Sequence, residues 1–155
     1  MNKVISDKYR ECYYEETLKN GLKVVIWHKD NYQKSFALMA TPLGAFDVTQ
    51  IDSKGNIYQY HPGLAHFLEH KMFEKENHDV MEDFSNMGAN VNASTTYDST
   101  CYYFQTSAEL YEPLNLLLDF TQQLDITKES VEKEKGIITQ ELNMYQQMSD
   151  FRLVR

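Results

Sequence analysis

Five consecutive residues, His66-Phe67-Leu68-Glu69-His70, carry the most legible chemistry in this chain. On a helix each residue turns about 100°, so His66 and His70 stand about 40° apart and Glu69 shares their face. Leu64, Phe67 and Leu68 fall on the opposite side. Two imidazoles one turn apart can hold a single Zn²⁺, and a carboxylate beside the metal can take a proton from bound water. The order is the inverse of the His-Glu-x-x-His arrangement. The bland alternative is a pair of surface histidines. Chance gives about one such match in 70 chains of this composition, so the pattern alone leaves zinc chemistry open.

A second constellation lies near the C-terminal end. Val131, Ile138, Tyr145 and Met148 form an apolar stripe at helical spacing, and Glu134 and Glu141, seven residues apart, fall on that same stripe. A carboxylate on a core-facing stripe is costly unless it is paired or bound to metal. The ordinary alternative is a solvated glutamate in a Glu/Lys-rich helix, which fits Glu132 and Lys133. Two histidines need a third ligand from elsewhere to make a catalytic zinc site with one open position. Both Glu134 and Glu141 are candidates on spacing alone.

The elements that must position these residues are readable from period and punctuation. Tyr13–Leu18 and Leu22–His28 are expected strands joined at Asn20-Gly21, a strong hairpin signal. Val24-Val25-Ile26-Trp27 is apolar on both faces, as in a covered central strand. Ser35–Thr41 is a third strand, and residues 47–61 are a polar excursion turning at Asp52-Ser53-Lys54-Gly55. Pro62-Gly63 opens a helix over Leu64–Glu74. Asp79–Met87 is a second helix with Val80, Met81, Phe84 and Met87 at helical spacing and Gly88 as its C′ residue. Val91–Thr96 and Thr100–Ser107 are two more strands, and Leu110–Leu124 is an amphipathic helix. The last helix starts at Thr127, an N-cap, and runs past Met148. The order β-β-β-α-α-β-β-α-α predicts an α+β fold, with helices packed on one face of a largely antiparallel, mixed sheet.

Composition narrows the function classes. The chain has 155 residues, 42% of them hydrophobic, enough for one packed core. Its net charge of −8 is a poor match for nucleic acid phosphates or an anionic membrane. No segment has the apolar length of a membrane helix, and Met1–Ser6 gives way at once to Asp7, Lys8 and Arg10, unlike a signal peptide. Cys12 and Cys101 do not make a disulfide framework, so a reducing, cytoplasmic setting is expected. His28, His61 and His78 are expected at the surface, and Glu74 and Glu76 in solvent. Cys101, Met72, Met81 and Met87 are expected in the core. Of Tyr102 and Tyr103, on opposite faces, one is expected in the core and the other in the cleft.

Four stretches together resemble the pitrilysin/insulinase family of zinc metallopeptidases. They are Gly63-Leu-Ala-His-Phe-Leu-Glu-His-Lys-Met-Phe-Glu74, Gly88-Ala-Asn-Val-Asn-Ala-Ser-Thr95, Tyr102-Tyr-Phe104 and Glu132-Lys-Glu-Lys-Gly-Ile-Ile-Thr-Gln-Glu141. The resemblance covers most of residues 12–150. It implies a pitrilysin-like fold, also that of mitochondrial processing peptidase, and a zinc endopeptidase acting on extended or unfolded peptides. It implies His66, His70 and Glu141 as ligands of one Zn²⁺, Glu69 as general base and Glu134 as an accessory acid. Asn92 and Ala93 match an edge-strand segment that pairs with the substrate backbone. The loop at 47–61 is longer than the family pattern suggests. Family members are clamshells whose homologous second half, or partner subunit, supplies an Arg and a Tyr. Residues 1–155 are therefore expected to be an N-terminal metal-binding domain, incomplete by itself, weakly active alone and inclined to homodimerise through the uncovered face. Two other readings share the resemblance: a non-catalytic scaffold subunit, and a peptidase that matures one specific protein. Intact motif residues argue against the first.

Overall fold

The computed structural model describes residues 1–75 and 78–153, which leaves Glu76 outside. Contacts divide the chain into two compact units, Met1–Gln33 and Lys34–Arg155.

The first unit is a three-stranded antiparallel sheet of β1 (Asn2–Ser6), β2 (Glu11–Thr17) and β3 (Lys23–Ile26), in that order. The expected Asn20-Gly21 turn is present. Gly21 takes a φ of 89°, its N–H donates to Leu18 O at 2.9 Å, and Asn20 Oδ1 accepts from Leu22 N at 3.1 Å. β1 has too short an apolar run to read as a strand, and pairing with β2 through Val4↔Tyr13 is what orders it. The Val24–Trp27 segment is corrected from a covered central strand. β3 lies at the sheet edge with Val25, Ile26 and Trp27 exposed, while β2 takes the centre because both its edges are hydrogen-bonded.

The second unit begins with β4 (Ser35–Thr41). Residues 47–61 form a small hairpin, β5 (Thr49–Ile51) and β6 (Ile57–Gln59), where only a polar excursion was expected. Its turn is the expected one, with Asp52 Oδ1 accepting from Lys54 N at 2.8 Å and Asn56 N at 2.9 Å. Then come α1 (Leu64–Phe73), the two-residue strands β7 (Glu74–Lys75) and β8 (His78–Asp79), and α2 (Val80–Asn86). β9 (Ala89–Thr95), β10 (Thr100–Thr106), α3 (Tyr111–Phe120), α4 (Lys128–Gln147) and α5 (Ser149–Leu153) complete it. Against the expected order, the additions are β1, β5 to β8 and α5. The strands fall into four small sheets rather than one, and all pairings among the described residues are antiparallel, not mixed.

The site-bearing sheet runs β4-β10-β9. Helices cover one face of it, as expected of an α+β fold. Period-2 alternation sends Tyr102 and Phe104 inward, against Ala93 and Val91 on one side and Met39 and Ala37 on the other. Phe84 from α2 lies 5.6 Å from Phe104, ring to ring, and Phe120 from α3 lies 5.2 Å from Phe73 of α1. Phe104→Ala therefore removes a fully buried ring and costs about 3–5 kcal/mol of stability, measured by urea unfolding. A negligible shift in the midpoint would show that this core can collapse around the void. Met81 is the exception on α2: its neighbours Val80 and Phe84 are buried, but Met81 itself faces solvent. Cys101, expected in the core, is half-buried on the outer face of β10.

Asp79 caps α2 by accepting from Met81 N at 2.8 Å. Thr127 caps α4 with a reciprocal capping box, Thr127 Oγ1 and Ser130 Oγ each accepting a backbone N–H at 3.1 Å. The expected continuation past Met148 fails: Met148 is extended (ψ 129°) and a short α5 follows. Among the described residues no helix is long and apolar enough to cross a membrane.

Candidate metal centre

α1 brings His66 and His70 onto one face, and α4 crosses that face with its two glutamates. The imidazole centroids are 4.6 Å apart at 77°. Nε2 of His66 and Nε2 of His70 each lie 3.7 Å from the same atom, Oε2 of Glu141. That is too long for a hydrogen bond, so three lone-pair donors converge without bonding to one another. One donor atom from each of the three residues lies within 4.8 Å of the others. Donors each about 2.1 Å from a tetrahedral ion stand roughly 3.4 Å apart, so this trio fits a zinc ion in spacing and in donor type.

Glu134 sits elsewhere on the same imidazole. Its Oε1 lies 2.8 Å from Nδ1 of His70, and the residue is 5% exposed. A carboxylate acceptor there favours the tautomer with hydrogen on Nδ1, which leaves the Nε2 lone pair facing Glu141.

Glu69 points towards the sheet. Its Oε2 accepts a hydrogen bond from the Thr95 hydroxyl at the end of β9. Thr95 Oγ1 is 3.3 Å from Thr100 Oγ1, which in turn donates to Leu43 O at 2.8 Å. Gly44 lets this loop lie on the β9–β10 turn, since a Cβ there would come within 2.3 Å of Asp98 N. No other hydrogen bond reaches the Glu69 carboxylate among the described residues. The Tyr102 hydroxyl, buried beneath the site, has its pKa pushed up by burial and, to a lesser degree, by the Glu69 charge. Tyr102 is thus the core tyrosine. Tyr103 does not line the cleft as expected; it packs on the other face, 5.7 Å from Phe36.

A cleft of about 600 Å³ opens beside the cluster, lined by Glu69, His70, Glu134, Asn92 and Ala93 among others. Among the described residues β9 pairs with β10 alone, and Asn92 and Ala93 of β9 line this opening. Asn92 Oδ1 accepts from Ala93 N at 2.8 Å. His28 and His61 are exposed, and His78, on the cleft wall, pairs with Asp83 at 3.1 Å; none of the three joins the cluster.

Sequence reasoning passed over Lys71 and expected Glu74 in solvent. Lys71, next in chain to His70, is fully buried, and its Nζ donates to Oε2 of Glu74. Glu74 is therefore not a solvated residue: Lys133 of α4 donates to its other oxygen at 3.2 Å. The Lys71 hydrogen bond holds the Glu74 carboxyl below its usual pKa range, against an opposing push from burial, and Lys133 adds to the lowering. The available signal was a lysine in the motif helix followed three residues later by a glutamate.

A family model described as Insulinase (Peptidase family M16) matches residues 57–154. The uncharacterised zinc protease YmfH of Bacillus subtilis is 40% identical over 148 residues, 95% of this chain and 35% of that protein. The human mitochondrial-processing peptidase subunit beta is 34% identical over 85 residues, 52% of this chain and 17% of that subunit. A crystal structure from Alicyclobacillus acidocaldarius, described as an M16-like peptidase, superposes with a TM-score of 0.85 at 41% identity, covering 90% of this chain and 33% of that one. The chain thus spans at most about a third of the length of these relatives. With the family model matching more than half of its residues, including the inverted histidine motif and the helix that faces it, the chain belongs to the insulinase family of peptidases, M16.

Proposed function

We propose that this chain is the metal-bearing part of a zinc-dependent endopeptidase that hydrolyses peptide bonds in extended or unfolded polypeptides. The observation that carries the reading is the convergence of His66 Nε2, His70 Nε2 and Glu141 Oε2 at 3.7 Å, beside an opening that β9 lines. His66, His70 and Glu141 hold the ion, and Glu134 holds His70 in the tautomer that presents Nε2. Zinc, when bound, supplies a Lewis acid and acidifies a water molecule. Thr95 occupies Oε2 of Glu69, which leaves Oε1 to take the proton from the attacking water and later pass it to the leaving amine.

Substrate lies along β9. An extended peptide can pair with a free strand edge through its main chain, with little demand on its side chains. Asn92 supports the part assigned to it: its side chain satisfies the Ala93 N–H and is displaced when a substrate carbonyl takes that donor. In this reading, as the family resemblance implies, a homologous half or a partner subunit supplies further donors to the developing oxyanion.

The test is hydrolysis of a quenched fluorescent unfolded peptide by the full-length protein. Turnover is expected to stop with a chelator and return with zinc. Residues 1–155 alone, loaded with zinc, are expected to be slower by about 10²–10³-fold, because oxyanion donors are missing. Chelator-insensitive cleavage would overturn the zinc reading. Zinc uptake with no turnover of any unfolded peptide would point instead to a scaffold subunit.

A further inference from the structure

α4 carries Glu141 to the two histidines, yet little apolar packing holds it there. Its one buried residue is a glutamate, Glu134. Val131 and Ile138 are half-buried, while Ile137, Leu142 and Met144 on neighbouring positions are exposed. What fixes the helix against α1 is a pair of polar contacts, Glu134 with His70 and Lys133 with Glu74, flanking a Glu141 that faces the histidines without bonding to them. Partner numbers rise along one helix as they fall along the other, which is an antiparallel register.

Glu74 is the hinge of this arrangement. One carboxylate oxygen receives Lys71 from within α1 and the other receives Lys133 from α4. Lys71 is fully buried, and a buried ammonium requires its partner, so the position of the Glu74 side chain is held from inside the core. Glu74 is also tied by its backbone, as the first residue of β7 paired to Asp79. A rigid carboxylate at the end of α1 thus offers a fixed docking point for α4. From Lys133 to Glu141 is eight residues, about 12 Å of helix, and from Glu74 back to His66 is the same length. Docking at one end sets what arrives at the other.

Resting on the zinc reading above, we propose that Lys71, Glu74 and Lys133 form a positioning clamp that sets the register of α4 on α1 and so delivers Glu141 to His66 and His70. None of the three is asked to touch the metal or the substrate. Their effect appears in how tightly the site closes on zinc.

The experiment measures zinc affinity of the chain by competition with a chromogenic chelator. The visible spectrum of the cobalt-substituted protein reports ligand geometry alongside it. Glu74→Gln keeps the shape but removes the charge, and is expected to weaken zinc binding about 10–100-fold, the size usual for groups that orient ligands. Lys133 is largely exposed, so Lys133→Met costs less, about two- to fivefold, and Lys133→Arg restores the wild-type value. Because Glu74→Gln strands a buried charge and can unfold the chain, the double variant Lys71→Met/Glu74→Gln removes both ends of that pair. It is expected to keep the wild-type unfolding midpoint in the metal-free state, yet show the weakened affinity and an altered cobalt spectrum. If the folded double variant binds zinc as tightly as wild type, the clamp is refuted and the zinc reading stands. If wild type itself takes up no zinc, the zinc reading fails and the clamp with it.

Discussion

Glu69→Gln in the full-length protein keeps its zinc and loses about 10²–10⁴-fold in turnover, the usual contribution of a positioned general base. The two halves of this expectation come from different observations. Glu69 lies on the histidine face of α1, but its Oε2 is engaged by the Thr95 hydroxyl and it is not one of the three donors that converge. Replacing the carboxylate by an amide of the same size therefore leaves the donor trio as it was. What disappears is the proton acceptor at Oε1. Zinc content by elemental analysis and kcat on a quenched peptide measure the two halves separately. Loss of zinc from this variant would mean that Glu69 is itself a ligand and that the assignment of the base is wrong.

Glu141→Gln abolishes stoichiometric zinc binding, whereas Glu134→Gln weakens it about 10–100-fold without abolishing it. Both residues ride on α4 and both meet histidines of α1, so charge and proximity do not separate them. Geometry does. Glu141 Oε2 is 3.7 Å from Nε2 of both imidazoles, the placement of a third donor around one ion. Glu134 Oε1 bonds the opposite nitrogen of His70, at 2.8 Å, where it acts on the ring and not on the metal. Chelator competition on the chain decides between them. The reverse order, with Glu134→Gln empty and Glu141→Gln still loaded, would exchange the two roles.

The features legible in advance were those that a single stretch of backbone specifies. The common face of His66, Glu69 and His70 follows from 3.6 residues per turn. Helix starts at Asp79 and Thr127 follow from a side-chain oxygen placed before the first turn. The Asn20-Gly21 hairpin follows from a backbone conformation that glycine adopts freely. That Tyr102 and Tyr103 face opposite sides of their strand follows from its period, whereas which of the two is inward does not. Each is a local rule, and tertiary contacts had no reason to override it.

Other properties of the site depend on where separate elements come to rest. Glu134 and Glu141 are equivalent on a helical wheel; only the crossing of α4 over α1 assigns one to Nδ1 and the other to the Nε2 pair. Lys71 carries no signal of burial in the sequence; the packing of α1 buries it and requires Glu74 as its partner. Val24–Trp27 reads as a covered strand, yet it is an edge, because β1 occupies the far side of β2 and hydrogen-bond order is not written in hydrophobicity. Thr95 reads as a strand residue and becomes the holder of Glu69 because β9 ends beside α1. By itself the sequence determined the donor types, their shared helical face and the family they resemble, because these rest on spacing within one element. The tertiary structure decided which carboxylate meets which nitrogen, because distances between elements are set by packing and by the partners that buried charges demand.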